Sequence, residues 1–259
     1  MKAKSFGFIG GGRITRILLK AFERAGIKTS YISVFDINEN VLNSLAADFK
    51  GIEISKDNLI HAASADIVFL AVHPPVLMEV LQAIKGNLRN GSLLVSLAPK
   101  ITIEKISGSL PGITNIARMN PNAGTYVIKG FNPVCFSNST EKRIKDDFIK
   151  IFEKIGQVPL IKESSIEAYA VVSAMGHTYF WFQLQQLKEL ALSFGLSDKE
   201  ANETIEAMMQ GTTDTLFNSG LSYNEVINLV PVKPLAEAEN AIKDFYKNYL
   251  TAIYQKIKP

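Results

Sequence analysis

Several residue types are scarce in this sequence, and each shortage excludes a class of structure or chemistry. The 259 residues include one cysteine, Cys135, so no disulfide can form within the chain. Three widely spaced histidines and this cysteine do not supply a zinc-type ligand set, and we predict no metal. No apolar run is as long as a membrane-spanning helix, so we expect neither signal peptide nor anchor. A cytoplasmic protein without a membrane partner is therefore expected.

The sequence also has no segment in which charges of one sign are concentrated. The chain has 28 Lys and Arg against 25 Asp and Glu, a net charge of +3. Without a basic stripe, nucleic acid is not an expected partner. Apolar residues make up 47% of the sequence, which is enough for a substantial core in one large or two modest domains.

What the sequence does contain is a regular alternation of apolar strands and amphipathic helices, up to about residue 162. This alternation predicts an α/β fold, a Rossmann-type doubly wound parallel sheet. Only helical patterns follow, so we expect an all-α C-terminal dimerisation domain. The predicted domains are a dinucleotide-binding Rossmann domain, 1–162, and a helical substrate and dimerisation domain, 163–259.

Local patterns predict where individual elements begin. Residues 158–161 are expected to form the last strand. Capping boxes, in which a polar residue precedes Glu by three positions, are expected at Asn138, Ser164 and Ser197. The box at Ser164 is expected to open a long helix that ends near Phe194.

A glycine-rich turn near the start of the chain predicts a nucleotide site. Gly10, Gly11 and Gly12 follow an apolar strand and precede the amphipathic pattern of residues 13–25. Such a turn brings backbone N–H groups and the positive end of a helix to a pyrophosphate. Thr15 stands where the usual fingerprint has Gly or Ala, so we expect slightly looser packing there. The alternative is an ordinary strand-to-helix turn.

An acidic residue follows the next predicted strand at the spacing typical of dinucleotide-binding folds. Asp36 comes directly after the β-branched and aromatic stretch 29–35. Its carboxylate can accept a hydrogen bond from the ribose 2′-OH and would repel a 2′-phosphate, which favours NAD over NADP. The alternative is that Asp36 only caps the next helix.

Two further loops are expected beside the cofactor, because ligands lie at the carboxyl ends of parallel strands. These loops are 71–75, which is rich in proline, and 118–124, which carries two asparagines. The predicted cofactor-binding residues are Gly10, Gly11, Gly12, Arg13, Ile14, Asp36, Ala71, Val72, His73, Pro74 and Asn122.

Five motifs in sequence order resemble the pyrroline-5-carboxylate reductase family over about residues 5–220. They are Gly10-Gly-Gly12-Arg-Ile-Thr15, Ala71-Val-His73-Pro-Pro75, Arg118-Met-Asn120-Pro-Asn122-Ala-Gly124, Ser173-Ala-Met-Gly176-His-Thr-Tyr179 and Gly195-Leu-Ser-Asp-Lys-Glu-Ala201. The resemblance implies a Rossmann domain, a helical dimerisation domain and hydride transfer from NAD(P)H to a cyclic imine carboxylate, as in proline biosynthesis.

The sequence departs from the family pattern on the substrate side. His73 and Pro75 replace a lysine and a glutamine, and the stretch 230–237 has neither the hydroxyls nor the glycines of the family's late loop. Two alternatives therefore stay open. One is a related reductase or dehydrogenase for another imine or a ketone, and the other is a non-catalytic nucleotide sensor.

Candidate proton donors lie at the start of the long helical pattern. We predict His177 and Thr178 as the catalytic residues, because a carbonyl substrate needs a proton donor. The alternative for His177 is a structural place in a core or interface. The neighbouring stretch 179–184 is apolar on more than one helical face. A helix of this kind must be buried, so we expect a homodimer, with packing on the N-terminal domain as the alternative.

Overall fold

The structure, a computed structural model, describes residues 3–259. A seven-stranded sheet has the order β3-β2-β1-β4-β5-β6-β8, with every pair parallel except β6 and β8. A second, two-stranded sheet pairs β7 with β9. The strands are β1 Lys4–Ile9, β2 Thr29–Phe35, β3 Ile52–Ser55, β4 Ile67–Leu70, β5 Leu93–Ser96, β6 Ile116–Met119, β7 Gly130–Phe131, β8 Val134–Phe136 and β9 Gly156–Gln157.

Helices connect and follow the strands. They are α1 Arg13–Arg24, α2 Glu39–Asp48, α3 Leu59–Ala63, α4 Pro74–Ile84, α5 Ile103–Ser109, α6 Lys142–Phe152, α7 Ile166–Tyr169, α8 His177–Ser193, α9 Asp198–Asn218, α10 Tyr223–Asn228 and α11 Glu239–Ile257. Among residues 3–259, no helix combines the length and the apolar character needed to cross a membrane. The predicted fold, a mostly parallel Rossmann-type sheet with a helical C-terminal region, is confirmed.

The chain divides into two compact units. The first ends at Ala174 and also includes Tyr254–Pro259, and it holds both sheets. The second, Met175–Ile253, is entirely helical apart from its loops. The predicted domain boundary at residue 162 stays a prediction.

The core of the first unit lies on the two faces of the large sheet. On one face, Phe6, Phe8 and Phe69 pack with Phe22 of α1 and Phe148 of α6 in a cluster of buried aromatic rings. Aliphatic side chains such as those of β4 and α4 fill the other face. The strand order reverses direction between β1 and β4, which is where open α/β sheets bind ligands.

Three of the local predictions differ from the structure. Residues 158–161 form only an isolated bridge, Val134 with Leu160, and Pro159 has no N–H for a regular ladder. The cap expected at Asn138 is absent, because α6 begins after Glu141. The expected long helix is broken at residues 170–176, where a π-helical turn, Ala170–Ala174, separates α7 from α8.

The predicted capping boxes at Ser197 and Ser164 have the same sequence pattern, but only one of them forms. Ser197 forms the predicted box with Glu200 at the start of α9. Ser164 forms none, because Glu167 is buried and receives a hydrogen bond from Arg118 at 2.5 Å. A buried charge must be paired, and this requirement outweighs a helix cap.

Candidate functional site

The glycine-rich turn has the geometry of a phosphate cradle. Gly10 has a φ of +106°, and a Cβ atom there would collide with the Ala71 carbonyl group. A Cβ atom at Gly12 would meet no atom of residues 3–259 within 4 Å. Gly12 is also the N-cap of α1, which has no capping side chain and no acidic residue in its first turn. The first N–H groups of α1 are therefore left for an anionic ligand.

Two side chains hold this turn in shape. Asp36 Oδ2 accepts a hydrogen bond from the Gly11 N–H at 2.7 Å. The Thr15 hydroxyl is fully buried and donates to the Gly10 carbonyl oxygen at 2.6 Å. Thr15 thus adds a hydrogen bond where a looser fit was expected. The turn is fixed before any ligand binds.

The cavity in front of this turn has a volume of about 700 Å³, within the range of small-molecule sites. Its lining includes Gly11, Gly12, Arg13, Ile14, Arg16, Asn40, Val41, Ser44, Ala71 and His73. Six of these are predicted cofactor residues. Sequence reasoning missed the contribution of α2 and of Arg16, which pairs with Asp48 and donates to the Ser44 hydroxyl at 2.9 Å. The spacing of Arg13 and Arg16 on one helical face was the available signal.

Asp36 does not cap α2. Asn38 is the N-cap, accepting hydrogen bonds from the Asn40 and Val41 N–H groups, while Asp36 Oδ1 accepts from the Asn38 N–H at 2.8 Å. The carboxylate of Asp36 is thereby oriented by the backbone on both sides. Since each carboxylate oxygen can accept more than one bond, acceptor capacity is left for a ribose hydroxyl.

The proline-rich loop after β4 lies next to the turn. The Ala71 N–H donates to the Ile9 carbonyl oxygen at 2.8 Å, which continues the β1–β4 pairing beyond the strands. Val72 follows, and His73 is the N-cap of α4 through its backbone, without a side-chain capping bond. Pro74 occupies the first position of that helix, where no N–H is needed.

The asparagines after β6 bind other parts of the first unit. Asn122 Oδ1 accepts from the Phe131 N–H at 3.2 Å, and Asn122 Nδ2 donates to the Ser173 hydroxyl at 3.3 Å. Asn120 Nδ2 donates to the Ile166 carbonyl oxygen at 2.6 Å. Both asparagines therefore fix segment 166–174, including its π-helical turn, against the end of β6. Turns of this type occur frequently at functional sites.

A buried ion cluster supports the same junction. Arg118 is 2% exposed and bonds Glu163 at 3.1 Å and Glu167 at 2.5 Å. Breaking a buried pair by removing one partner costs about 3–5 kcal/mol. No sequence pattern indicated this cluster, because Glu163 and Glu167 lie 45 and 49 residues from Arg118 in the chain. Nearby in β8, burial raises the pKa of the Cys135 thiol to about 11, so this cysteine stays protonated at neutral pH.

The predicted catalytic residues open the second unit. His177 stacks on Trp181 with ring centroids 5.8 Å apart, and its buried Nε2 has no hydrogen-bond partner among residues 3–259. The Thr178 hydroxyl donates to the Met175 carbonyl oxygen at 2.7 Å. No group of three or more metal-ligating side chains is found in the part of the chain that the structure describes.

Comparisons with known proteins place these features in context. The family model of coenzyme F420-dependent NADP oxidoreductases matches residues 5–100. The pyrroline-5-carboxylate reductase of Methanosarcina acetivorans is 26% identical over 232 residues, covering 89% of this chain and 85% of that protein. The enzyme of the same name from Corynebacterium melassecola is 28% identical over 221 residues, 84% of this chain and 82% of its own.

Solved structures show the same fold. A pyrroline-5-carboxylate reductase from Coxiella burnetii is 26% identical, covers 99% of this chain and 95% of its own, and has a TM-score of 0.71. The pyrroline carboxylate reductase of Plasmodium falciparum, solved with NADP bound, has a TM-score of 0.83 at 20% identity and covers 100% of this chain and 98% of its own.

Substitution of the two outer glycines separates folding from binding. Gly12→Ala adds a methyl group to open space on the ligand side, so we expect a wild-type melting temperature and dinucleotide binding weakened by about tenfold or more. Gly10→Ala forces a strained φ and a collision with Ala71, so we expect a lower melting temperature. Thermal unfolding and calorimetric titration of NADH and NADPH measure both. Unchanged binding by Gly12→Ala would contradict this assignment.

Proposed function

We propose that this chain, which belongs to the pyrroline-5-carboxylate reductase family, uses a reduced nicotinamide nucleotide to reduce a small cyclic imine, Δ1-pyrroline-5-carboxylate or a close analogue, in the cytoplasm. The family resemblance and the class of NAD(P)-dependent oxidoreductase, both predicted from sequence, are confirmed by the relatives. One observation carries the proposal from family to function. The turn at Gly12 and the uncapped start of α1 open onto a cavity large enough for a nucleotide.

Residues of the cavity, together with Asp36 and Val72 next to its lining residues in sequence or by hydrogen bond, would hold the parts of such a cofactor. The N–H groups at the start of α1 would hold the diphosphate, with Arg13 adding positive charge. Asp36 would hold the adenosine ribose, and Ala71, Val72 and His73 would flank the nicotinamide. When bound, the reduced nicotinamide supplies the hydride that an imine carbon accepts.

The remaining work of the protein is to position the substrate and exclude water. An iminium carbon is already electrophilic, so orientation contributes more than a proton donor. Asn122 Nδ2 donates to the Ser173 hydroxyl at 3.3 Å. Asn122 is therefore proposed as a positioning residue on the substrate side of the site. His177, whose Nε2 has no hydrogen-bond partner within residues 3–259, and Thr178 are proposed to contact the substrate.

The test is oxidation of NADH and NADPH, followed at 340 nm, with a panel of cyclic imines and 2-keto acids. We expect turnover with pyrroline-5-carboxylate or another cyclic imine and much less with keto acids. His177→Gln is expected to lower kcat by about tenfold or more, since it removes the ring that is proposed to contact and orient the substrate. Calorimetric titration of each nucleotide accompanies the assay.

The matched control is His61→Gln, which removes a histidine that stacks on Tyr31 in the first unit. This variant is expected to keep the wild-type kcat. Tight binding of the nucleotides with no turnover of any substrate would instead support a nucleotide sensor.

We also propose that the preferred cofactor is NAD. Asp36 would lie beside the ribose 2′ substituent, and the orientation of its carboxylate is fixed by hydrogen bonds from the Gly11 and Asn38 N–H groups. A 2′-phosphate would meet this carboxylate and lose affinity through repulsion between like charges. Arg13 and Arg16 line the same cavity and oppose this preference, although Arg16 already pairs with Asp48.

Neutralising the carboxylate tests this preference. Asp36→Asn keeps an acceptor for the Gly11 N–H but removes the charge, so the Kd for NADPH is expected to fall by about fivefold or more relative to that for NADH. Glu39→Gln, which removes an exposed carboxylate at the start of α2, is the control and is expected to leave the ratio unchanged. Equal ratios in Asp36→Asn and wild type would refute the role of Asp36.

A homodimer through the C-terminal helices is the third part of the proposal. No residue of α8 or α10 is buried, although both helices are rich in apolar side chains. Trp181 is 55% exposed, Phe182 68% and Phe217 76%. So many exposed large apolar side chains are unusual on a monomer and typical of an interface between subunits.

Light scattering after size-exclusion chromatography tests the dimer. We expect wild type to have twice the 28.5 kDa mass of one chain or a multiple of it, and Phe182→Glu to shift toward the monomer. Ile37→Glu, at a residue of the first unit that is 85% exposed, is the control and should keep the wild-type mass. A monomeric wild-type protein would overturn the proposal.

A further inference from the structure

A second cavity lies at the opposite end of β1 from the glycine-rich turn. It has a volume of about 420 Å³ and is bordered by the start of β1, the α1–β2 connection and the end of α6. β1 has six residues, so about 20 Å of strand separates this cavity from the turn at Gly10. The lining residues are Ala3, Lys4, Phe6, Gly26, Ile27, Lys28, Lys150, Ile151 and Lys154.

This cavity has an apolar floor and a positively charged rim. Phe6 and Ile151 are buried core residues and, with Ile27, give an apolar floor. All four charged side chains of the lining are lysines. Lys4 pairs with Asp147 at 3.3 Å, whereas the other three lysines have no carboxylate within ion-pairing distance among residues 3–259.

The negative ends of two helices offset only part of this positive charge. The carbonyl ends of α1 and α6 lie beside the cavity, and each resembles about half a negative charge. Together they supply about one negative charge, and Asp147 supplies one more. About two of the four lysine charges are left without compensation. A cavity of one sign with apolar walls concentrates ions of the opposite sign.

We propose that this cavity binds a small organic anion, a phosphate or carboxylate group carried on an apolar or aromatic body. The charged group would interact with Lys28, Lys150 and Lys154 at the rim, and the apolar body would lie on Ile27, above the buried Phe6. The site is separate from the proposed cofactor site and does not depend on the proposed reductase activity.

Phenyl phosphate and benzoate are the probes, with inorganic phosphate and benzyl alcohol as partial probes that each lack one of the two features. Calorimetric titration of the 259-residue chain is expected to show saturable binding of one or both probes, weaker binding of inorganic phosphate and none of benzyl alcohol. The stronger of the two probes identifies the anionic group. Binding is expected to weaken as salt rises.

Paired variants locate the binding. The double variant Lys28→Gln with Lys150→Gln removes two rim charges, and we expect the probe to bind about tenfold more weakly. Lys142→Gln with Arg143→Gln removes the same charge from the opposite end of α6 and is expected to bind as wild type. The variant Lys154→Gln gives an independent reading if the first pair unfolds. Absence of probe binding, or an equal loss in rim and control variants, would overturn the proposal.

Discussion

The candidate site depends on the fixed shape of the turn between β1 and α1. The Gly10 carbonyl oxygen is held by Thr15, and the Gly11 N–H is held by Asp36. These two bonds satisfy the polar groups that face the protein, while Gly12 faces the open cavity. Preorganised donors need no rearrangement when charge arrives, so a backbone held in this way suits the proposed diphosphate site. The rest of the site is arranged around this point.

Local chemistry was predictable from the sequence, whereas long-range pairing was not. The glycine turn, the strand that ends at Asp36 and the capping box at Ser197 each follow from residues within a few positions of one another. The pattern at Ser164 is the same as at Ser197, yet Glu167 pairs with Arg118, 49 residues away. Only the fold brings that arginine into reach. The contact of Asn122 with Ser173 was unpredictable for the same reason.

The second unit exposes many large apolar side chains. In the stretch 230–237, Val230 is 62% exposed, Val232 72% and Leu235 69%, and no hydroxyl side chain is present. Surface of this kind is costly in water and is stabilised by contact with another surface. The features that weaken the match to the family's substrate loop are therefore the same ones that favour association.

The absence of the family's hydroxyl and glycine residues from the stretch 230–237 affects the choice of substrate more than the type of reaction. Hydroxyl and N–H donors recognise a carboxylate, and removing them lowers affinity and discrimination together. Reduction of an imine needs the carbon placed against the cofactor and water kept out, and neither requirement calls for those donors. In this chain, the β1–α1 turn and the loop after β4 are proposed to meet these requirements on the cofactor side, and the junction fixed by Asn120 and Asn122 is proposed for the substrate side. Because the turn and the loop after β4 are far in sequence from the stretch 230–237, the cofactor side of the proposed site can stay the same while the substrate side changes.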